Sequence, residues 1–187
     1  MRDSIIIVEG AQGAGKTTVT TYLREKLLTT DLYRLTGIKD KTVTGHKKIK
    51  KKYDKLLEYM EACEDVNLLF DRTFFTNEIY ARLGYFEYSF TETFNELLQK
   101  LDNLDFDIYL VILYLENEND FEERLKRDKP AYQKFEVESS IAQQREYFKL
   151  AEEVQNKTKN IKIVKIHNEV WEETEKQIID NFGNLMR

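Results

Sequence analysis

A chain of 187 residues is long enough to bury one core, and 41% hydrophobic with 34% charged residues is a globular balance. The net charge of −5 argues against a protein that coats nucleic acid through bulk charge, and no apolar stretch approaches the roughly 20 residues of a membrane helix. Cys63 stands alone, which excludes an internal disulfide framework or a cysteine metal site. With no secretory leader at the start, the expectation is a soluble, cytoplasmic protein that engages no membrane.

Apolar runs alternate with amphipathic stretches along the chain. Ser4 to Val8 reads as a buried strand, followed by a helix from about Lys16 to Leu28 and a weak strand from Leu32 to Leu35. Ile49, Tyr53, Leu56, Leu57 and Met60 share one face of a helix over His46 to Cys63. Val66 to Phe70 is a strand that ends on Asp71. Helices follow at Thr76 to Leu83 and Thr91 to Leu101, the second opened by a Ser89/Glu92 capping box. Ile108 to Leu115, the longest apolar run, reads as a central strand. Asp120 to Arg127 and Glu138 to Gln155 read as helices, Ile161 to Ile166 as the last strand and Glu169 to Leu185 as the closing helix. The pattern is that of an α/β protein with about five parallel strands and helices between them. No linker or internal repeat divides it, so a single domain over residues 1–187 is expected.

Gly10-Ala11-Gln12-Gly13-Ala14-Gly15-Lys16-Thr17 satisfies the P-loop pattern in full. It follows an apolar strand directly and opens a helix, the context the pattern needs. Glycines let successive N–H groups turn inward towards phosphate oxygens, and the helix adds the positive end of its dipole. Lys16 is placed to reach the β- and γ-phosphates of ATP and Thr17, followed by Thr18, to offer a hydroxyl to Mg2+.

Two further groups join this cradle. Asp71-Arg72 closes a strand at the carboxyl edge of the sheet, where ligands lie in open α/β folds. A carboxylate there suits Mg2+ or a water, and a guanidinium suits a phosphate. Arg124 and Arg127 are three apart on one helix face. They either close over a transferring phosphoryl group or meet the dipole at a helix end.

With these elements in order, the chain resembles the thymidylate kinase and deoxynucleoside kinase group of P-loop kinases. The resemblance rests on Ile6 to Thr18, on Asp71-Arg72-Thr73 with Thr76 and Tyr80, on Asp107 with its strand, on Arg124 and Arg127, and on Phe135-Glu136 through Ala151. It implies a three-layer P-loop kinase fold with a five-stranded parallel sheet and helices on both faces. It also implies ATP and magnesium as cosubstrates, a short lid around 118–135, and a nucleoside or nucleotide acceptor near Asp71-Arg72. The thymidylate kinase segment Arg-Glu-Pro-Gly is replaced by Tyr33-Arg34-Leu35-Thr36-Gly37.

A sugar hydroxyl usually needs a base to take its proton, whereas a phosphate oxygen is already anionic. Deoxynucleoside kinases carry a carboxylate just after the second strand. Here only Asp31 precedes that strand and Asp40 follows some residues on, while Arg34 suits an acceptor phosphate. This favours a nucleoside monophosphate over a deoxynucleoside. Two alternatives stay open: a polynucleotide-end kinase using the lysines of Lys47 to Lys55, and a nucleotide-binding regulator without a second substrate. Ile49, Tyr53 and Leu56 among those lysines read instead as the core side of a helix with a solvated face. Phe74 and Phe75 serve either a base or the core. His46, His167 and Trp171 carry no ligand spacing. A homodimer is compatible with the sequence.

Overall fold

The structure, a computed structural model, describes residues 2–35, 40–127 and 136–186. Strands β1 (Ser4–Gly10), β2 (Thr30–Arg34), β3 (Asn67–Asp71), β4 (Asp107–Tyr114) and β5 (Ile161–His167) form one sheet in the order β2-β3-β1-β4-β5. Every pairing is parallel. Helices α1 (Lys16–Lys26), α2 (Val43–Glu61), α3 (Phe74–Arg82), α4 (Thr91–Asp102), α5 (Asp120–Arg127), α6 (Val137–Lys157) and α7 (Trp171–Phe182) connect and cover it.

A parallel sheet covered on both faces demands strands that are apolar on both sides. Ile5, Ile6, Ile7 and Val8 meet that demand and are all fully buried. Alternation along β1 sends Ile5 and Ile7 into one core, with Met60, Phe94, Leu97 and Leu150 from α2, α4 and α6. Ile6 and Val8 enter the other, with Val19 and Leu23 of α1 and Ile178 and Phe182 of α7. Three layers result. At about 1.5–3 kcal/mol for each fully buried aliphatic side chain, β1 is among the most strongly held segments.

β4 is an interior strand as expected, flanked by β1 and β5, and β1 is the middle strand of the five. The chain leaves β1 for one side and returns to β4 on the other, so the order reverses there. That reversal opens a crevice beyond the carboxyl ends of the strands.

Three local expectations change. α4 is capped by Phe90, whose carbonyl accepts the Phe94 N–H at 2.8 Å, with no side-chain cap bond. Phe90 is completely buried, and packing it inward overrides the local capping chemistry expected of Ser89. The closing helix ends at Phe182, and Gly183–Leu185 tighten into a 3-10 turn whose successor Met186 bridges to Leu27. Phe74 and Phe75 begin α3 and lie in the core. The lysines of α2 line its outer side, with Lys48 and Lys55 paired to Asp40 and Glu58 at 3.5 and 2.7 Å and Lys50 paired to Glu96. No described helix is long and apolar enough to cross a membrane.

Candidate functional site

β1 hands over to α1 through the P-loop. Gly15 has φ 90°, and a Cβ there would run into the Asn168 side chain, so a larger residue is excluded twice over. Asn168, just past β5, donates from Nδ2 to the Ala14 carbonyl at 2.7 Å and accepts from the Thr174 hydroxyl at 3.0 Å. It therefore ties the phosphate loop to the loop between β5 and α7. On the other side, the Gln12 N–H donates to Gln143 Oε1 of α6 at 3.1 Å.

The Lys16 ammonium donates to the Gly10 and Ala11 carbonyls at 2.7 and 2.8 Å. Burial lowers its pKa to about 7, and the Arg72 charge pushes the same way against Asp71 and Glu9. The Thr17 hydroxyl donates to Asp71 Oδ2 at 3.5 Å. That same oxygen lies 3.6 Å from Arg34 Nε. Lys16, Thr17, Thr18, Arg34, Asp71 and Arg72 thus line one cavity of about 510 Å³ with the P-loop.

Arg72 follows β3 in a left-handed backbone conformation, φ 69°, with its N–H donating to the Val8 carbonyl at 3.1 Å. It also lines a second cavity of about 250 Å³. Tyr53, Tyr80, Tyr85 and Phe86 give that cavity aromatic walls, and Thr76, Asn77 and Lys41 give it polar points. Asn77 is 7% exposed and lines this cavity.

Two sequence-predicted residues sit elsewhere. α5 packs on the P-loop, with Phe121 and Leu125 each about 3.4 Å from where a Cβ on Gly13 would begin. From this helix Arg124 donates to the Asn168 and Glu169 carbonyls. It flanks the P-loop at Gly15 and does not line the phosphate cavity. Arg127, at the end of α5, is exposed. The remainder of the expected lid, 128–135, and residues 36–39, Thr36-Gly37 among them, lie outside the described residues.

Glu9, Asn77, Gln143, Tyr147 and Asn168 were missed in the sequence. Glu9 abuts the P-loop and Asn77 follows Asp71-Arg72 by a turn and a half, so proximity to a motif was an available signal. For Gln143 and Tyr147 the signal is faint: two polar-capable residues at i, i+4 on one face of α6. For Asn168 there was none.

The strand order, the P-loop between β1 and α1, and helices on both faces define the three-layer P-loop kinase fold. No protein-family model matches the sequence, and no curated protein matches it. Solved structures do. Thymidylate kinase from Candida albicans superposes with a TM-score of 0.70 at 15% identity, covering 98% of this chain and 92% of that one. Deoxyadenosine kinase from M. mycoides with bound dATP gives 0.64 at 19% identity, covering 96% and 99%. The same enzyme with dCMP and dCDP gives 0.62 at 16% identity, covering 97% and 98%. At these identities the likeness establishes the fold.

Proposed function

We propose that the chain is a single-domain kinase that moves the γ-phosphoryl group of ATP onto a nucleoside monophosphate, with a deoxynucleoside as the second choice of acceptor. The observation that carries this reading is the convergence of Lys16, Thr17, Asp71 and Arg72 on one cavity that shares Arg72 with an aromatic-walled neighbour. The likeness to a thymidylate kinase and a deoxyadenosine kinase supports it.

In this reading the triphosphate lies on the P-loop N–H groups and the N-terminus of α1. Lys16 exchanges the two loop carbonyls for phosphate oxygens, whose charge restores the ammonium that burial disfavours. The oxygen donors Thr17 and Asp71 fit a hard cation such as Mg2+, which when bound neutralises charge on the phosphates. Among the described residues no cluster of three His, Cys, Asp or Glu forms a metal site of the protein's own. Arg72 stands where donor and acceptor meet and is suited to hold the acceptor's phosphate or reacting oxygen. The acceptor's base fits between the aromatic walls, and the Asn77 amide offers a donor and an acceptor to its edge. Arg124 and Arg127 belong to the lid and act when the site closes.

The placement of the carboxylates supports the monophosphate over the nucleoside. The Asp40 carboxylate accepts from the Thr42 N–H and hydroxyl at 3.0 and 2.6 Å, and Asp31 accepts from the Tyr33 hydroxyl at 3.4 Å. Among the described residues neither lines either of these two cavities, and Asp71 is the carboxylate that does. Arg34, Lys41 and Arg72 instead offer cations to a phosphate. The test is acceptor-dependent ADP release from ATP across the nucleosides and their monophosphates. At least one monophosphate should be turned over faster than its nucleoside. No acceptor-dependent release in a folded, ATP-binding protein would sink the kinase reading.

A further inference from the structure

Glu9 is the last residue before the P-loop and is completely buried, yet none of the steps above uses it. Its carboxylate collects donors from two other elements. Oε1 accepts the Thr73 N–H at 2.7 Å, and Oε2 accepts the Thr76 hydroxyl at 2.6 Å and the Tyr147 hydroxyl at 3.0 Å. Thr73 and Thr76 line the second cavity; Tyr147, on α6, does not.

The turn that Glu9 holds is one that would not hold itself. Arg72 sits at φ 69°, a conformation that L residues with a full side chain adopt only under constraint. The constraint comes from both flanks. Ahead, the Arg72 N–H is bonded to the Val8 carbonyl; behind, the Thr73 N–H is bonded to Glu9. Both anchors belong to β1, the most buried strand, so the strand that ends in the phosphate loop also fixes the direction of Arg72. A buried carboxylate needs its donors, and burial pushes its pKa up while Thr76, Thr73, Tyr147 and the Arg72 charge pull it down. Two of the three residues it reaches, Thr73 and Thr76, line the cavity that Arg72 also lines, so the anchor holds one wall of that cavity from behind.

We propose that Glu9 is a positioning residue for the acceptor: it clamps the turn 72–76 so that Arg72 points at the acceptor's reacting group while ATP binding is left to the loop beyond it. This rests on the kinase reading for what the turn binds, but not for the clamp itself.

Two measurements separate these parts. Hydrogen exchange of ligand-free protein reads the clamp directly. In Glu9→Met, which keeps the side-chain length and removes the acceptors, the Thr73 amide should exchange at least tenfold faster than in wild type. In Glu9→Gln, which keeps an acceptor for that amide, it should stay near wild type. Steady-state kinetics with the monophosphate that wild type turns over reads the consequence. Glu9→Met should raise the acceptor KM about tenfold with the ATP KM changed less than about threefold, and Glu9→Gln should restore most of it. Should Glu9→Met fail to fold, Tyr147→Phe removes one of the donors from outside the cavity and should raise the acceptor KM about threefold alone. Unchanged Thr73 exchange in Glu9→Met overturns the clamp whatever the substrate. Equal rises in both KM values, or an unmoved acceptor KM in the folded variant, overturn the positioning role. Absence of any turnover by wild type overturns the kinase reading and leaves the exchange result standing.

Discussion

Replacing Lys16 by methionine should stabilise the ligand-free protein at neutral pH while lowering phosphoryl transfer on the order of a thousandfold. The fall of the Lys16 pKa from 10.5 to about 7 reflects an ammonium held out of water, with Arg72 adding to the cost. At about 1.4 kcal/mol per unit this disfavours the charged form by roughly 5 kcal/mol in the native state. Methionine removes that cost but takes the ammonium from the Gly10 carbonyl and from the Ala11 carbonyl, the latter keeping the Ala14 N–H at 3.2 Å, about 1.5 kcal/mol for each charged hydrogen bond. The net gain is about 2 kcal/mol, or roughly 4–8 °C in melting temperature for a chain of this size. The sign has a pH signature. The native pKa lies below the unfolded one, so the wild-type penalty is complete below pH 7 and is relieved as pH rises from 7 to 10.5. Relief at about 1.4 kcal/mol per unit brings the two stabilities together as pH rises from 7 towards 10.5, and beyond that crossing wild type is the more stable. Thermal or urea unfolding of both proteins at intervals from about pH 6 to about pH 9.5 measures the crossing. A variant less stable than wild type at pH 6, or a difference flat in pH, would refute the strained ammonium.

Arg72→Ala should weaken the monophosphate acceptor by roughly tenfold or more through loss of a charged hydrogen bond, with ATP affinity much less affected; titrating both ligands separates this from a damaged fold. Arg124 and Arg127 should part company. Arg124→Ala frees the Asn168 and Glu169 carbonyls and should raise the ATP KM severalfold, whereas Arg127→Ala should lower turnover with that KM unchanged, as initial-rate kinetics would show. Gly15→Ala forces a side chain into φ 90° and against Asn168, so ATP binding measured by calorimetry should fall by at least tenfold, with the sheet intact by circular dichroism.

The features legible in the sequence are those with a short-range cause. The P-loop is a local conformation dictated by glycine spacing, and Asp71-Arg72 lies at the edge where a buried apolar run ends, so both fell at the site without knowledge of the fold. Strand order and the role of Glu9 depend instead on which distant residues come together, and nothing near Glu9 announces Thr73, Thr76 or Tyr147. Asn168 is the same case: its partner Ala14 lies at the other end of the chain, and the two meet only because β5 and β1 share a sheet. Phe90 shows the reverse failure. Local chemistry favoured Ser89 as a cap, and burial of an aromatic ring decided otherwise. Arg124 was legible as a cation near the site, but its carbonyl partners on the β5–α7 loop are a tertiary fact.

The central place of β1 also sets a schedule for folding. Ile5 finds its partners at Leu68 on one side and Ile108 on the other. A strand whose second partner comes about a hundred residues later must wait for much of the chain before its backbone is satisfied, and pairings of such separation form slowly. During synthesis Ser4 to Gly10 therefore emerges as an apolar segment with exposed strand edges, the kind of segment that aggregates when left unpaired. The phosphate cradle assembles only after β4 has emerged to flank β1. Nascent chains arrested before Tyr114 should be unable to protect the P-loop from proteolysis, whatever the concentration of ATP around them.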